Sequence, residues 1–426
     1  MPERINGKEN RLKALLQEWD KTSINGEYPG ELAHAILNEM ENQARSSRHN
    51  NGDKNLWYEC LRLTARNNFI RSLRDPESQS RWADVCFRII RLSEYSPLQM
   101  FEQRARDFPG HDLFEDLTPG AHGKWSYRIV GQLVRETAAA FFSIALPEEP
   151  RVAILSENSV AGACCDLACL FYDILDSPLD PHFSADTLIE IFNRLQINIA
   201  VTDTDERIER LREVAAGVSR PLHIVSLHNG ASGRPGDVLH LGTLCKRLSV
   251  EEINKILDRR RRFALNEVAT VMFTSGSEGT PKGVSFSCYN LVTKRFARAA
   301  ALPEVGDDEV LLCYLPLYHT FGRYLEMLGS IFWGGTYVFT GNPSLNTLLS
   351  FLPVVNPTGL MSIPLRWAQI EEYCAGRMRD KENKKKAFRS VVGSRLRWGL
   401  WPPDIRILQC SGSSTATASL SAAASA

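Results

Sequence analysis

The chain has 426 residues, 43% hydrophobic and 23% charged, and its 50 Lys+Arg balance 50 Asp+Glu. That length allows a large core and two or three domains, and the balanced charge excludes a global field drawing the protein to nucleic acid. No apolar run has the length of a membrane-spanning helix, and the start, "MPERINGKENRLKALLQEWDK", lacks a signal-peptide apolar core, so a cytoplasmic protein is expected.

Residues 1–95 read as a helical N-terminal extension. "NRLKALLQEWDK", "GELAHAILNEMENQA" and "WADVCFRIIRLSEY" repeat apolar residues at three-to-four spacing, and "SSRHNNGDKN" interrupts them as a loop. No catalytic constellation stands there, so the segment is read as an appendage or a module for a protein partner.

From residue 96 the pattern changes. "SPLQMFEQRARDFPG" predicts a helix, and "WSYRIVGQLVRETAAAFFSIAL" a strand-like entry followed by a helix. "RVAILSEN" predicts a strand, "SVAGACCDLACLFYDIL" a helix, "DSPLDPHF" a turn, "SADTLIEIFNRLQ" a helix and "INIAVTDT" a strand. "RIERLREVAA" then reads as helix, "LHIVSL" as strand, "HNGASGRPGDV" as loop and "VEEINKILDRRRRFAL" as a charged helix. Such alternation predicts an α/β fold with mostly parallel strands and ligands beyond their carboxyl ends. Arg259 to Arg262 read as a solvated helix end rather than a docking patch. The ten cysteines do not form a disulfide framework in so long a chain. Cys164, Cys165 and Cys169 invite a metal reading, but no histidine or second cysteine pair lies nearby. They read as small thiols packing a buried helix, and no metal ligands are assigned.

"TSGSEGTPKG", residues 274–283, follows the apolar run "VATVMF" and precedes "VSFSCYNLV". Glycines let backbone N–H groups turn toward an anion. Thr274, Ser275, Ser277 and Thr280 supply hydroxyls, and Lys282 supplies a point charge for a polyphosphate. The order differs from the G-x-x-x-x-G-K-[ST] phosphate loop, because a proline precedes the lysine and a glycine follows it. A strand–loop–strand hairpin is expected instead of a loop opening a helix.

"TSGSEGTPKGV" resembles the phosphate-loop signature of the adenylate-forming, or AMP-binding, superfamily: acyl-CoA synthetases, peptide-synthetase adenylation domains and luciferases. "LCYLPLYHTFGRYLEM" resembles the family's L-P-L-x-H segment, in the form with phenylalanine, arginine and glutamate after the histidine that looks most like long-chain acyl-CoA synthetases. "NPTGLMSIPLRWAQIEEY" and "GSRLRWGL" resemble the strand and helix walling the acyl pocket and the strand leading to the nucleotide site. With "WSYRIVGQLV" and "RVAILSENS" the resemblance spans residues 96–400. It implies the large domain of the adenylate-forming fold, with stacked mixed β-sheets flanked by helices and preceded by the helical extension.

The resemblance further implies ATP-dependent activation of a long-chain fatty acid through acyl-AMP to acyl-CoA, with ATP, Mg²⁺ and coenzyme A. Lys282 and His319 would be catalytic. Thr274, Ser275, Gly276, Ser277, Glu278, Gly279, Thr280 and Lys282 would hold the nucleotide's phosphates. Phe321, Leu325, Met361 and Trp367 are candidate acyl-lining residues. Aryl-CoA ligases, peptide-synthetase adenylation domains and a non-catalytic regulator on the same fold remain alternatives.

The family's aromatic-glycine-x-Thr-Glu segment, its ribose aspartate and its small C-terminal domain with a catalytic lysine are not found. Residues 401–426, "WPPDIRILQCSGSSTATASLSAAASA", read as a non-homologous low-complexity tail, expected to be disordered. A C-terminally truncated, inactive fragment is therefore expected, arising by natural truncation or by a shift of reading frame near Ile405. The basic stretch "RMRDKENKKKAFRSVVGSRLR", residues 377–397, reads as a solvated helix, with peripheral contact to anionic membrane as the alternative.

Overall fold

A computed structural model describes residues 2–24, 29–47, 53–228, 238–259, 262, 264–274, 281–376 and 391–400. The first part is helical: α1 (Pro2–Ile24), α2 (Gly30–Ser46), α3 (Lys54–Thr64), α4 (Asn67–Ser72) and α5 (Pro76–Ser93). Local chemistry sets their starts. Asp53 accepts from the Asn55 N–H at 2.9 Å to cap α3. Asp75 accepts from Ser78 N–H at 2.7 Å, and Pro76 occupies the first turn of α5. The apolar stripes bury Trp19, Ile36, Trp82 and Ile89 completely, and the Trp82 indole donates to Thr64 Oγ1 at 3.0 Å.

The chain then runs through α6 (Pro97–Asp107), β1 (Asp112–Asp116), β2 (Gly123–Ser126), α7 (Tyr127–Ala145), β3 (Arg151–Leu155), α8 (Val160–Phe171), β4 (Leu175–Pro178), α9 (Ala185–Leu195), β5 (Ile199–Thr202), α10 (Asp205–Gly217) and β6 (His223–Ser226). β7 (Val238–His240), α11 (Leu241–Lys246), α12 (Val250–Asp258), β8 (Val268–Thr274), β9 (Lys282–Ser287), α13 (Cys288–Ala301) and β10 (Val310–Cys313) follow. A π-helix (Phe321–Met327), α14 (Leu328–Trp333), β11 (Thr336–Phe339), α15 (Leu345–Val355), β12 (Gly359–Met361), α16 (Pro364–Gly376) and β13 (Trp398–Leu400) complete the described chain.

Two mixed sheets carry the fold. One has the order β13-β12-β10-β11-β1-β2 and the other β7-β6-β5-β3-β4-β8-β9. Strands are parallel except the pairs β1–β2 and β8–β9, each at a sheet edge. The expected α/β fold of stacked mixed sheets with helical flanks is thus observed. The N-terminal helices share one hydrophobic cluster with both sheets. Their main seat is α13: Phe296 meets Trp82 at a ring-centroid distance of 5.8 Å, Tyr95 at 6.3 Å and Phe332 of α14 at 5.1 Å.

Some elements differ from expectation. "DSP" belongs to a buried strand, β4, where the sequence suggested a turn. Asp176 and Ser177 are fully buried there because each has a polar partner: Arg323 for the carboxylate, and the Val271 carbonyl, 2.7 Å from Ser177 Oγ. Polar residues in a strand interior imitate a turn when their partners lie far away in sequence. α12 ends at Asp258, short of the expected helix. Within 377–397 only residues 391–397 are described, and 393–397 are not helical. Arg397 pairs with Asp308 at 2.6 Å and with Glu309, a structural tie rather than a solvated helix face. Among the described residues no helix is long and apolar enough to cross a membrane.

Candidate nucleotide-binding site

The glycine-rich segment sits on an antiparallel hairpin. Its register runs from Thr270↔Phe286 through Met272↔Val284 to Thr274↔Lys282, which closes the described ladder. Thr274 and Lys282 are exposed at the tip, and Thr274 Oγ1 lies 3.4 Å from the Lys282 carbonyl. Ser275, Gly276, Ser277, Glu278, Gly279 and Thr280, the rest of the expected phosphate grip, lie outside the described residues. β8 is anchored on β4 by Asp176↔Thr270, so one side of the hairpin is fixed in the sheet and the other is the sheet edge. The return strand ends in a capping box. Ser287 Oγ accepts from the Asn290 N–H at 3.2 Å, and Asn290 Oδ1 accepts from the Ser287 N–H at 3.1 Å. The hairpin therefore runs directly into α13.

His319 comes from the other sheet, on the segment leaving β10. It is exposed, its ring centroid is 4.8 Å from that of Tyr318, and its N–H donates to the Pro316 carbonyl at 3.0 Å. Burial pushes the Tyr318 hydroxyl up to about 12. The segment is clamped from the neighbouring sheet by Asn158, in the loop after β3. Asn158 Nδ2 donates to the Leu315 carbonyl at 2.8 Å, and its Oδ1 accepts from the Leu317 N–H at 3.0 Å. Gly322 then lets the π-helix pack against the same stretch: a Cβ there would stand 2.6 Å from the Pro316 carbonyl oxygen and 2.7 Å from that of Leu315.

A buried charge cluster ties the two halves together. Arg323, on the π-helix, has no exposed surface. Its Nε donates to Asp166 Oδ2 at 3.0 Å, Nη1 to Thr270 Oγ1 at 2.6 Å and Nη2 to Asp176 Oδ2 at 2.6 Å, with a further bond from Nη2 to Asp166 Oδ1. One side chain thus joins the His319 segment to α8, β4 and the loop-bearing strand β8. Two carboxylates face one guanidinium. Burial pushes the Asp176 carboxyl well above the ordinary carboxylate range; Arg323 opposes that rise and Asp166 adds to it. Asp176 Oδ1 has no hydrogen-bond donor facing it. A proton held by the carboxyl pair would remove the excess negative charge facing the single guanidinium. Glu326, one turn on, is pushed well above its ordinary value by burial and accepts from Tyr337 Oη at 3.0 Å.

Residues predicted from sequence are brought together in part. Phe286, at the base of the hairpin, packs against Tyr324 of the π-helix with ring centroids 4.8 Å apart and the rings tilted by 57°, so the hairpin and the His319 segment share one wall. Phe321 and Leu325 line a cavity of about 160 Å³ there. Met361 and Trp367 are buried core on β12 and α16, 0% and 4% exposed. Sequence reading missed Asn158, Asp166 and Asp176. Asn158 closes the strand-ending string "RVAILSEN", whose polar end after an apolar strand was the available signal.

The AMP-binding enzyme model matches residues 101–424. The chain belongs to the AMP-binding enzyme family. The match continues beyond residue 400, across the segment that sequence reading set apart as a tail, and that segment lies outside the described residues. Long-chain-fatty-acid–CoA ligase ACSBG1 of Rattus norvegicus is 26% identical over 259 residues, covering 58% of this chain and 36% of the relative. Long-chain-fatty-acid–CoA ligase heimdall of Drosophila melanogaster is 23% identical over 290 residues, covering 66% and 42%. The chain spans less than half the length of these relatives. Among solved structures, the anthranilate CoA ligase AuaEII in complex with anthranoyl-AMP superposes with a TM-score of 0.60 at 13% identity, over 73% of this chain and 56% of that one. A benzoate CoA ligase from Burkholderia xenovorans LB400 gives 0.54 at 13% identity, over 72% and 55%. These likenesses establish the adenylate-forming fold.

In this member of the family, no group of three His, Cys, Asp or Glu side chains among the described residues could hold a metal ion. A magnesium ion carried on nucleotide phosphates keeps water and phosphate oxygens as most of its ligands and requires no such protein cage.

Proposed function

We propose that the chain carries the acid-activating half of a ligase that joins a carboxylic acid to coenzyme A through an acyl-adenylate, with a long-chain fatty acid as substrate. The observation that carries this reading is the hairpin placing Thr274 and Lys282 side by side at a sheet edge, on a chain of the AMP-binding enzyme family. The fatty-acid choice draws on the named function of the curated relatives.

In this reading the hairpin loop takes the β- and γ-phosphates, with Lys282 as the positive charge against the departing pyrophosphate. The carboxylate attacks the α-phosphorus, the bond to pyrophosphate breaks, and the acyl-AMP anhydride forms. Lys282 moves no proton. It acts by position and charge, in a site where a preorganised donor outweighs one in water. His319 stands on the acid side, held by the Asn158 clamp and the Arg323 cluster. The Thr274–Lys282 register fixes where the lysine leaves the sheet.

The test is acid-dependent ATP–pyrophosphate exchange with palmitate, with benzoate and without acid. Palmitate-dependent exchange that Lys282→Ala lowers by about 10²–10³, the usual cost of one positioned donor, upholds the reading. Exchange with benzoate alone overturns the substrate choice, and exchange indifferent to Lys282→Ala overturns the loop's role. If residues 1–426 show no exchange, equilibrium binding of Mg·ATP decides: binding that Lys282→Ala abolishes retains the phosphate grip, and no binding removes it.

A further inference from the structure

A pocket of about 220 Å³ lies where the N-terminal helices meet the sheet that carries the His319 segment. Arg66, Asn67 and Asn68, at the corner between α3 and α4, form one side. Arg104 of α6, Asp307 before β10 and Trp333 at the end of α14 form the other. The first side precedes the family match at 101–424 and the second lies within it. Arg104 is 3% exposed. Its Nε donates to the Phe332 carbonyl at 2.6 Å, and its Nη1 to Asp107 Oδ2 at 3.4 Å. Arg66 Nη2 is 3.1 Å from that same oxygen, and Arg66 Nε has no hydrogen-bond partner. Trp333 is 6% exposed, and its indole Nε1 has no partner either.

Negative charge is short here. Asp107 serves three guanidiniums, because Arg62 Nη1 also donates to its Oδ1 at 2.8 Å. Glu59, the other carboxylate of the group, serves Arg62 and Arg106. Four guanidiniums thus share two carboxylates, whereas Arg323 has two to itself. Burial pulls the Arg104 guanidinium below its ordinary range; Tyr95 and Asp107 oppose that fall and Arg66 adds to it. Asp307, exposed at the pocket, returns one negative charge and makes no ion pair among the described residues. A positive excess remains beside a buried cation, which is costly without counter-charge. The pocket is remote from the hairpin and from His319. β10 and β11 are parallel, so the π-helix and α14, of 7 and 6 residues, carry the chain from the carboxyl end of one to the amino end of the other. His319 precedes this crossover and Trp333 ends it, about 15–20 Å on at helical rise. The hairpin meets the crossover near its start, through Thr270 on Arg323 and Phe286 on Tyr324. No residue of the pocket is a phosphate-grip or acyl-lining candidate.

We propose that this pocket binds a phosphoryl group, as free phosphate or as a monoester, which supplies the missing counter-charge to Arg66 and Arg104. Asn68 Oδ1 already accepts from the Phe69 N–H at 2.8 Å, which leaves its amide N–H groups to donate. The Asn67 amide lies against Gly306, where a Cβ would run into it. A phosphoryl group brings nearly two negative charges and three acceptor oxygens, and two guanidiniums match it better than they match the single charge of a carboxylate. The pocket exceeds the ~150 Å³ that takes a benzene ring, so the small organic part of an ester also fits. Occupied, it ties the α3–α4 corner to the amino ends of β10 and β11, and the anion fastens the N-terminal helices to the family domain. The inference concerns charge and position alone and does not rest on the acid-activating reading.

The test is calorimetric titration of the whole chain at pH 7.5 with inorganic phosphate, ribose 5-phosphate and acetate. At least one of the two phosphates should bind at least tenfold more tightly than acetate. Tighter ribose 5-phosphate assigns the ligand as an ester, and tighter inorganic phosphate assigns it as the free ion. Lys282→Ala should keep this binding, which separates the pocket from the phosphate grip, and the further variants are made on that chain. Arg66→Gln should weaken the preferred phosphate about ten- to hundredfold, as expected for a lost hydrogen bond to a charged group. Asn68→Asp keeps the acceptor for the Phe69 N–H, sets a carboxylate in the pocket and should weaken binding at least about tenfold. Asp307→Asn removes the opposing charge and should tighten binding about two- to fivefold, a gain that misfolding does not produce. No binding, phosphates no tighter than acetate, binding insensitive to both Arg66→Gln and Asn68→Asp, no gain in Asp307→Asn, or loss in Lys282→Ala would each overturn the proposal.

Discussion

Replacing Arg323 by methionine tests whether one side chain holds the two halves of the site together. The substitution removes the bonds to Asp166, Asp176 and Thr270 Oγ1 and leaves two carboxylates that are 3% and 0% exposed. Breaking a buried ion pair from one side costs about 3–5 kcal/mol, a large share of the ~5–15 kcal/mol that holds a typical domain folded. The cost should depend on pH with a definite sign. Burial already raises Asp176 above the ordinary carboxylate range, with Arg323 opposing and Asp166 adding. A carboxyl raised in the folded state binds more protons folded than unfolded, so stability falls as pH climbs from the unfolded value, ~3.9, through the folded one. Arg323→Met raises Asp176 further and strips Asp166 of its counter-charge, so the penalty should be smallest near pH 4 and grow toward pH 7.

The assay is urea unfolding followed by fluorescence of the eight tryptophans, from pH 4 to pH 8 on both proteins. Asp176→Asn is the control. If Asp176 carries a proton in the folded state, the amide imitates it and the cost at pH 7 stays below about 1.5 kcal/mol, near the value of an ordinary hydrogen bond. An Arg323→Met penalty below about 1 kcal/mol, or one that does not change with pH, would refute the account of a buried charge net. A large loss in Asp176→Asn would place the proton elsewhere.

Ser287→Ala removes the hydroxyl that accepts from the Asn290 N–H at 3.2 Å, and should lower stability by about 0.5–2 kcal/mol, read as an earlier thermal midpoint. An unchanged midpoint would mean that the hairpin-to-helix junction is held by packing alone. Gly322→Ala places a Cβ 2.6 Å from the Pro316 carbonyl oxygen and should cost about 1–3 kcal/mol of strain; a neutral result would mean that the π-helix can slide. Cys165 and Cys169 are 0% and 1% exposed, and burial raises their thiols well above the ordinary value. A disulfide reagent at pH 8 should therefore reach them only on unfolding, and prompt labelling of either in the native protein would contradict their burial on α8.

The hairpin was legible in the sequence because its signals are local. An apolar run, a glycine-rich turn and a proline before Lys282 sit within a few residues, and β8 and β9 pair as that order demands. The N-terminal helices were legible for the same reason, since the three-to-four spacing of apolar residues is a local period. What stayed hidden depends on partners far apart in the chain. Asp176 looked like turn material because nothing nearby needs a carboxylate, and its partner Arg323 is 147 residues away. Asn158 reads as an ordinary loop residue until Leu315 and Leu317 are folded onto it, 157 and 159 residues on. β1 escaped attention because charged Asp112, Glu115 and Asp116 leave only two apolar residues in the strand.

Polar residues at strand ends thus have two uses that look alike in sequence, turning the chain or bridging sheets, and only burial separates them. The form of the His319 segment, with Phe321, Arg323 and Glu326, gains a physical explanation on this basis. Arg323 is the tie that sets the π-helix against β8, the strand on which the loop begins. Glu326 seals the other side of the π-helix onto β11 through Tyr337. A segment serving only as a pocket wall would need apolar residues at both positions. Two buried ionisable groups at the cost of their desolvation indicate that the placement of the hairpin relative to His319 is what the fold holds fixed, and Thr270, five residues from the first residue of the loop, is where that constraint enters the strand.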